Sequence, residues 1–223
     1  MRPAAGPTWS GPGLAGNWDV IWHYFLLHVQ YTVLAVALGT LLALPLGYCG
    51  YRWARTYPPL LALTNIVYAI PSVAMFVLLF PVVGITNDKP IVIAMALYSL
   101  VILVRCLVEG LRAVPPATVT AATAMGYGAL RRFVSVELPL AMPNVIAGIR
   151  LATVSTVSLI SVGGLIGKGA LGRLFSDGFA RRIDVEVRAA IVAIVALALV
   201  ADLVVLVIGR LLTPWTRARS GST

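Results

Sequence analysis

The residues that could carry out chemistry are few, and their spacing does not assemble a catalytic or metal-binding set. His23 and His28 stand five positions apart with no cysteine or carboxylate at ligand spacing, so we do not expect a metal site there. The serines in apolar surroundings have no histidine partner that could activate them as nucleophiles. Backbone bonding or the lining of a passage is a better interpretation of these hydroxyls. The serines concerned are Ser72, Ser155, Ser158 and Ser161.

The glycine-rich run from Gly163 to Gly172, named here the glycine loop, contains Lys168 and could be taken for a phosphate-binding loop. That loop requires the pattern G-x-x-x-x-G-K-[ST]. Val162 stands where the first glycine belongs, and Gly169 replaces the hydroxyl residue that would hold magnesium. We therefore interpret the run as a place where a helix end breaks and another backbone approaches, as in a re-entrant segment or an outer gate. The expected gate residues are Gly163, Gly164 and Gly167.

The elements that must position these residues belong to a membrane protein. Hydrophobic residues make up 60% of the 223 residues and charged residues only 11%, unlike a soluble domain. The stretches 20–51 and 56–87 contain no Asp, Glu, Lys or Arg, and each exceeds the roughly 20 apolar residues of a spanning helix. Cys49 and Cys106 both stand in apolar runs, which excludes a secreted disulfide scaffold. The 17 Lys and Arg against 8 Asp and Glu are spread thinly, so membrane topology explains them better than nucleic-acid binding.

Apolar length and flanking charges predict an all-α integral membrane fold with about five transmembrane helices. The expected spans are 24–50, 59–83, 90–111, 142–166 and 189–211. The predicted division of the chain is a polar, flexible amino-terminal tail at 1–20, a transmembrane domain at 21–213 and a cytoplasmic tail at 214–223.

Counting Lys and Arg favours an amino terminus outside the cell membrane and a carboxyl terminus in the cytoplasm. The four arginines between 173 and 188 weaken this count, because they fall on the outer side. In this orientation His23 and His28 would lie near the outer interface, with their imidazoles reaching toward water.

Three charged residues fall in the inner halves of the last three predicted spans: Arg105, Arg150 and Asp202. An ionised group there costs at least about 2.5 kcal/mol unless it is paired or hydrated. We expect Asp202 to pair with Arg150 or with Arg105. In the alternative, each arginine reaches the interface and Asp202 faces a water-filled cavity alone.

The connection between the third and fourth spans, residues 113–139, is too polar to cross the bilayer and too rich in helix formers to be unstructured. The composition predicts one helix over 117–125, opened by Pro115 and Pro116, and a second amphipathic helix over 129–136 that ends at Leu138 and Pro139. Two short helices at an angle would form a knob that docks into a cleft of a soluble partner. The alternative is an amphipathic elbow on the lipid surface.

The spacing within this 113–139 loop resembles the "EAA" loop of ABC importer permeases, whose pattern is EAA, three residues, G, nine residues, I, one residue, LP. Thr120 stands in place of the motif's Glu, and Val136 stands in place of its Ile. The resemblance implies a cytoplasmic coupling-helix loop that contacts an ATPase, and the absent carboxylate implies a weaker or asymmetric contact. The residues assigned to that interface are Thr120, Ala121, Ala122, Met125, Gly126, Tyr127, Phe133, Leu138 and Pro139.

Three further segments resemble the osmoprotectant branch of these permeases, which moves glycine betaine, carnitine, choline and related compounds. They are 70–75 (IPSVAM), 148–153 (GIRLAT) and 165–172 (LIGKGALG). In the last segment Lys168 and Ala170 replace small family residues. Together with the 113–139 loop, the resemblance covers roughly residues 20 to 215.

The resemblance implies a type I ABC importer permease in the bacterial cytoplasmic membrane. Such a permease works with two ATPase subunits, a second permease subunit and an external substrate-binding protein. ATP and magnesium bind the ATPases, so no cofactor is expected in this chain. The second permease could be an identical or a different chain, and Thr120 is consistent with a heterodimer.

Substrate is the least constrained feature of the sequence. Tyr68 and Tyr98 are the mid-span aromatic residues that could face a passage and hold a quaternary ammonium group, together with Pro71 and Ser72. The other interpretation is that both tyrosines pack and bond a neighbouring helix. A permease for methionine or another small solute, a stand-alone secondary carrier or channel, and an intramembrane enzyme remain alternatives. The last two would work without a separate ATPase.

Overall fold

A computed structural model describes residues 8–10, 13–84 and 87–215, which are helical over most of their length. The all-α fold expected from the sequence is confirmed. The helices are α1 (Trp18–Arg52), α2 (Tyr57–Ala69), α3 (Ser72–Val83), α4 (Lys89–Arg112), α5 (Pro116–Ala124), α6 (Ala129–Arg132), α7 (Leu138–Val162), α8 (Leu171–Arg181) and α9 (Asp184–Leu212).

Four helical stretches within the described residues are long and apolar enough to cross a membrane. They are α1, α4, the stretch Ala129–Ile166 that contains α7, and α9. The pair α2 and α3 makes a fifth crossing if it is counted as one broken span. The five predicted apolar segments therefore correspond to helices, but α1 is longer than expected, at 35 residues.

The second span is not the single helix that 59–83 was expected to form. α2 and α3 meet at an angle of 98°. Pro71 causes the break, because a proline disfavours helical geometry in the residue before it and supplies no N–H of its own. Ile70 is extended, with φ −70° and ψ 125°, and its carbonyl oxygen accepts a hydrogen bond from the Tyr98 hydroxyl on α4.

Helix α4 lies between α1 and α7, and small residues let the three backbones approach. A Cβ added at Gly39 of α1 would lie 2.7 Å from the Ser99 side chain of α4. One added at Gly148 of α7 would lie 2.7 Å from Cys106 of α4. Helix α9 packs on this core from one side, and most of its large apolar side chains stay exposed, as expected for a face toward lipid.

Helix α8 lies in the connection between the fourth and fifth predicted spans, for which the sequence analysis predicted no helix. Its apolar side chains Leu171 and Leu174 are buried against α1 and α9, whereas Arg181 lies at its exposed end. This spacing of three to four residues is the period of an amphipathic helix. The segment 173–188 carries too many charges for apolar length to identify a helix there.

The amino-terminal segment is more ordered than the predicted tail at 1–20. Trp9 is 5% exposed and packs in a cluster with Val20 and Tyr24. The buried amide of Asn17 holds the segment, since it donates to the carbonyl of Ser10 at 2.7 Å and accepts from the Ser10 N–H. Residues 1–7 of the predicted tail, and 216–223 of the carboxyl-terminal tail, lie outside the described residues.

The interpretation of His28 as an interfacial side chain is wrong. His28 is fully buried, and its Nε2 lies 3.1 Å from the carbonyl oxygen of Val157 on α7. It therefore fastens α1 to α7. His23 is exposed and packs edge-on against Tyr24. Over residues 8–10, 13–84 and 87–215, no three His, Cys, Asp or Glu residues are grouped so as to hold a metal ion.

Candidate functional site

The 113–139 loop presents α5 as an exposed helix. Proline opens α5 at Pro116, and the chain turns at Gly126, whose φ of +81° is readily adopted only by glycine. Thr120 and Ala121 are exposed, and Met125 is 69% exposed. Ala122 is instead buried beneath the helix, so its expected contact with a partner is wrong.

The second predicted helix of the loop does not end at Leu138 and Pro139. α6 passes through a wide turn at Phe133–Glu137 and continues as α7. In this turn the N–H of Leu138 reaches back five residues to the carbonyl of Phe133, the spacing of a π-helical turn. Pro139 follows this turn as the second residue of α7 and donates no N–H of its own. Leu138 and Pro139 are half-buried within a continuous helix.

Phe133 does not face outward, contrary to its predicted role in a partner's cleft. It is buried, its ring centroid lies 4.4 Å from that of Tyr48 on α1, and it packs with Leu107 of α4. Tyr127 is half-buried, and the Arg131 guanidinium lies 4.5 Å from its ring centroid. The exposed part of the loop is therefore α5, the turn after it and the outer side of α6, where Leu130 is 70% exposed, while Phe133 anchors the loop to the membrane helices.

Arg132 joins the two halves of the loop, a role that the sequence analysis missed. Its guanidinium donates to the Thr123 hydroxyl on α5 at 2.7 Å and to the Glu137 carboxylate at 2.5 Å. Glu137 is 1% exposed, so this carboxylate is a buried, paired group. The sequence signal for this pair was the presence of two opposite charges, Arg132 and Glu137, five residues apart.

A groove of about 290 Å³ opens between α2, α4 and α7. Tyr68 lines it and is 49% exposed, whereas Tyr98 is 4% exposed and bonds the helix break. The two tyrosine rings meet edge to face, with centroids 5.6 Å apart. Pro71 and Ser72 lie at the break itself, outside the groove lining. The residues that line the groove are Asn65, Tyr68, Val101, Ile102, Arg105, Cys106, Leu151 and Ser155.

Among the described residues, the intramembrane charges form one ion pair, between Arg150 and Asp202, whereas Arg105 forms none. Arg150 on α7 donates two hydrogen bonds to Asp202 on α9, at 2.8 and 2.7 Å. Arg105 does not join them, and its guanidinium donates to the side-chain oxygen of Asn65 at 3.0 Å. The two-pronged geometry suits arginine and carboxylate and fastens α9 to α7.

The glycine loop is built by backbone packing. A Cβ added at Gly164 would lie 2.0 Å from the carbonyl oxygen of Gly172, and one added at Gly163 would lie 3.1 Å from Gly169. Gly167 has φ +71° with open space around it. The loop therefore closes the end of α7 through direct backbone contact, although Gly167 takes part only through its backbone conformation.

Lys168 explains one departure from the family pattern in this loop. Its ammonium group donates to the Asp88 carboxylate at 2.9 Å and to the Asn87 carbonyl at 2.8 Å. The Tyr31 hydroxyl on α1 donates to the other oxygen of Asp88. The lysine therefore ties the glycine loop to the start of α4. Ala170, the second departure, has φ +50°, an uncommon conformation for a residue with a side chain.

Residues 35–218 match the family described as "Binding-protein-dependent transport system inner membrane component". The chain belongs to this family. It is similar to the choline transport system permease protein of Bacillus subtilis strain 168, with 30% identity over 84% of this chain and 86% of the relative. It is also similar to the osmoprotectant import permease protein of Salmonella typhimurium strain LT2, with 32% identity over 68% of this chain and 72% of the relative.

Solved structures support the same fold. The permease fold matches a chain of the MetNI methionine ABC transporter in an inward-facing conformation, with a TM-score of 0.81 and 20% identity. The match covers 90% of this chain and 99% of that chain. This permease is thus an inner-membrane subunit of an ABC importer, with a type I importer fold. It is not an enzyme, because the relatives are permease subunits and ATP hydrolysis belongs to the partner ATPases.

Proposed function

We propose that this permease forms the translocation pathway of an ATP-driven importer for osmoprotectants of the quaternary ammonium type. The observation that carries the proposal is the exposed α5 surface, anchored by the buried Phe133, in a chain whose relatives are named for choline, glycine betaine and carnitine transport. The permease for methionine is the weaker candidate. Its support is a structural likeness at 20% identity, which indicates the fold and not the solute.

Coupling to the ATPase would pass through the 113–139 loop. A partner that grips the exposed residues Thr120, Ala121 and Met125 moves α5, and Arg132 transmits that movement to Glu137 and hence to α7. The membrane helices then move as packed bodies between inward-open and outward-open states, as in alternating access. The loop needs no nucleotide site of its own for this work.

The proposed assembly contains two permease subunits, two ATPase subunits and an external binding protein. Type I permeases of five spans need a second permease to enclose a pathway, and the absent motif carboxylate at Thr120 favours a different chain as the partner. The amino terminus lies outside and the carboxyl terminus lies in the cytoplasm. In this orientation the 113–139 loop and Arg210 share the cytoplasmic side.

Reconstitution tests the proposal directly. The permease, its ATPase and its binding protein are placed in liposomes, and uptake of glycine betaine, carnitine, choline and methionine is measured with and without ATP. We expect uptake of quaternary ammonium compounds that requires ATP and the binding protein. Uptake of methionine alone would replace the proposed substrate class, and uptake without ATPase subunits would refute the coupling.

A further inference from the structure

The groove between α2, α4 and α7 carries the positive charge of Arg105 at one end, and Glu109 lies one turn further along α4, outside the groove lining. Arg105 is exposed, and its hydrogen-bond partner is the neutral amide of Asn65. None of the ion pairs formed by the described residues includes Arg105. A guanidinium that forms no ion pair within a membrane span is expensive, so this end of the groove favours an anionic group.

Asn65 strengthens that preference. Its side-chain oxygen accepts the Arg105 bond, which leaves the amide N–H groups available as donors. Guanidinium and amide together present several N–H donors to one point, and planar donor sets of this kind match the two oxygens of a carboxylate. Ser155 on α7 lines the facing wall and adds a hydroxyl.

The other end of the groove is aromatic. Tyr68 follows Asn65 by three residues on α2, which is about 4.5 Å along a helix axis. Tyr68 is 49% exposed, and its ring meets that of the buried Tyr98 edge to face. Aromatic faces attract quaternary ammonium groups. The groove thus places an aromatic surface about one helical turn from an anion site.

We propose that this groove is a substrate subsite of the permease that selects zwitterionic betaines, with the carboxylate at Arg105 and Asn65 and the quaternary ammonium group against Tyr68. The subsite rests on the proposed function and narrows its substrate class. Choline has the same trimethylammonium group but a hydroxyl in place of the carboxylate, so it loses the Arg105 contact and meets a like charge. The volume of about 290 Å³ lies just below the roughly 300–1,000 Å³ of ligand pockets, which suits a small solute.

The chain contains a built-in reporter for this site. Cys106 lines the groove, and the other cysteine, Cys49, lies on α1. In the assembled transporter carrying Cys49→Ser, the rate at which N-ethylmaleimide modifies Cys106 therefore measures occupancy. We expect millimolar glycine betaine to slow modification by about tenfold, and choline at the same concentration to slow it by less than about twofold, since one charge-assisted contact is worth roughly a factor of ten.

Two variants make the test specific. Arg105→Gln removes the anion site and should abolish protection by glycine betaine. Arg112→Gln removes an arginine two turns further along α4, where it stacks on Tyr57 at 4.3 Å outside the groove, and should leave protection intact. If Arg105→Gln does not assemble, Tyr68→Leu provides the second test, because it retains apolar bulk but removes the aromatic face and should weaken protection.

The outcomes separate this proposal from the proposed function. Equal protection by choline and glycine betaine, no protection by either, or protection that survives Arg105→Gln would overturn the zwitterion subsite. Uptake of glycine betaine is measured in the same preparation. Uptake without protection overturns the subsite alone, whereas protection without ATP-dependent uptake supports the subsite and overturns the proposed transport function.

Discussion

The glycine loop and the 113–139 loop both adjoin α7 and both contain glycines, but the glycines of the first are tightly packed and Gly128 of the second lies in open space. A Cβ added at Gly172 would lie 1.9 Å from the carbonyl oxygen of Ser161. A Cβ added at Gly128 in the other loop would meet nothing within 4 Å. The glycine loop is therefore closed on its own backbone, whereas the 113–139 loop leaves its surface open to another protein.

One helical stretch connects the 113–139 loop to the glycine loop. The stretch Ala129–Ile166 is helical throughout, and the wide turn at Phe133–Glu137 keeps it continuous through Pro139. In the proposed coupling, a push at the open end would therefore act on one helical stretch that reaches the closed end. We infer that the bend between α2 and α3, where Pro71 already interrupts the hydrogen bonding, is a better place for local adjustment.

The largest expected effect comes from filling the closed loop. Gly164→Ala places a Cβ where the backbone of Gly172 already lies, 2.0 Å away, and backbone cannot move aside as a side chain can. We expect destabilisation by more than about 3 kcal/mol, seen as a lower thermal unfolding temperature and a low yield of monodisperse protein. The matched change Gly128→Ala, in open space with φ −65°, should leave both unchanged. Equal stability of the two variants would remove the contrast between the loops.

The next effect separates the two aromatic residues of the 113–139 loop. Phe133→Ala empties a buried site against Tyr48 and Leu107 and should destabilise the permease by about 3 to 5 kcal/mol. Tyr127→Ala changes a half-buried ring at the loop surface and should preserve thermal stability while lowering the coupling of ATP hydrolysis to uptake. Thermal unfolding and the ratio of solute imported to ATP hydrolysed measure the two effects. A stable Phe133→Ala variant with lost coupling would restore Phe133 to the partner interface.

These two aromatics also show what the sequence could and could not predict. Apolar length located the membrane helices, because a span is defined by its run of apolar residues. It could not tell which face of a short helix is buried, so Phe133 and Ala122 were assigned to the partner surface although neighbouring helices cover them. The same limit left Asp202 with two possible partners, and only the packing of α7 on α9 selects Arg150.

Breaks and continuations of helices were the other difficulty. Pro71 and Pro139 are both prolines in apolar surroundings, but one bends the chain by 98° and the other lies inside a continuous helix. The difference depends on the preceding turn, which is extended at Ile70 and wide at Phe133–Glu137. The wide turn also makes contacts far along the chain, since Phe133 within it packs against Tyr48 of α1 and Leu107 of α4, and such contacts are not visible in local spacing.

A smaller effect is expected where the closed loop is tied to α4. Lys168→Ala removes two hydrogen bonds from the ammonium group to Asp88 and Asn87. Because the pair is partly exposed, with 15% of Lys168 and 35% of Asp88 accessible, we expect a loss of only about 1 kcal/mol. Lys89→Ala, at an exposed lysine beside the same aspartate, is the control and should have no measurable effect on thermal unfolding. A loss as large as that of Gly164→Ala would mean that the lysine, and not the backbone, holds the loop closed.

The smallest effect on stability is expected from a change in the 113–139 loop that should strengthen binding of the ATPase. Thr120→Glu restores the carboxylate of the resembled motif at an exposed position of α5, so the fold has nothing to rearrange. Ala117→Glu adds the same charge one turn earlier on the same helix, also at an exposed position, and the helix dipole should favour it slightly more because it lies in the first turn of α5. If the ATPase contacts the loop at residue 120, only Thr120→Glu should raise the affinity of the permease for the ATPase, by up to about tenfold for one charge-assisted contact. Titration of the ATPase onto the permease measures this, and equal gains from both variants would reduce the interaction to general electrostatic attraction.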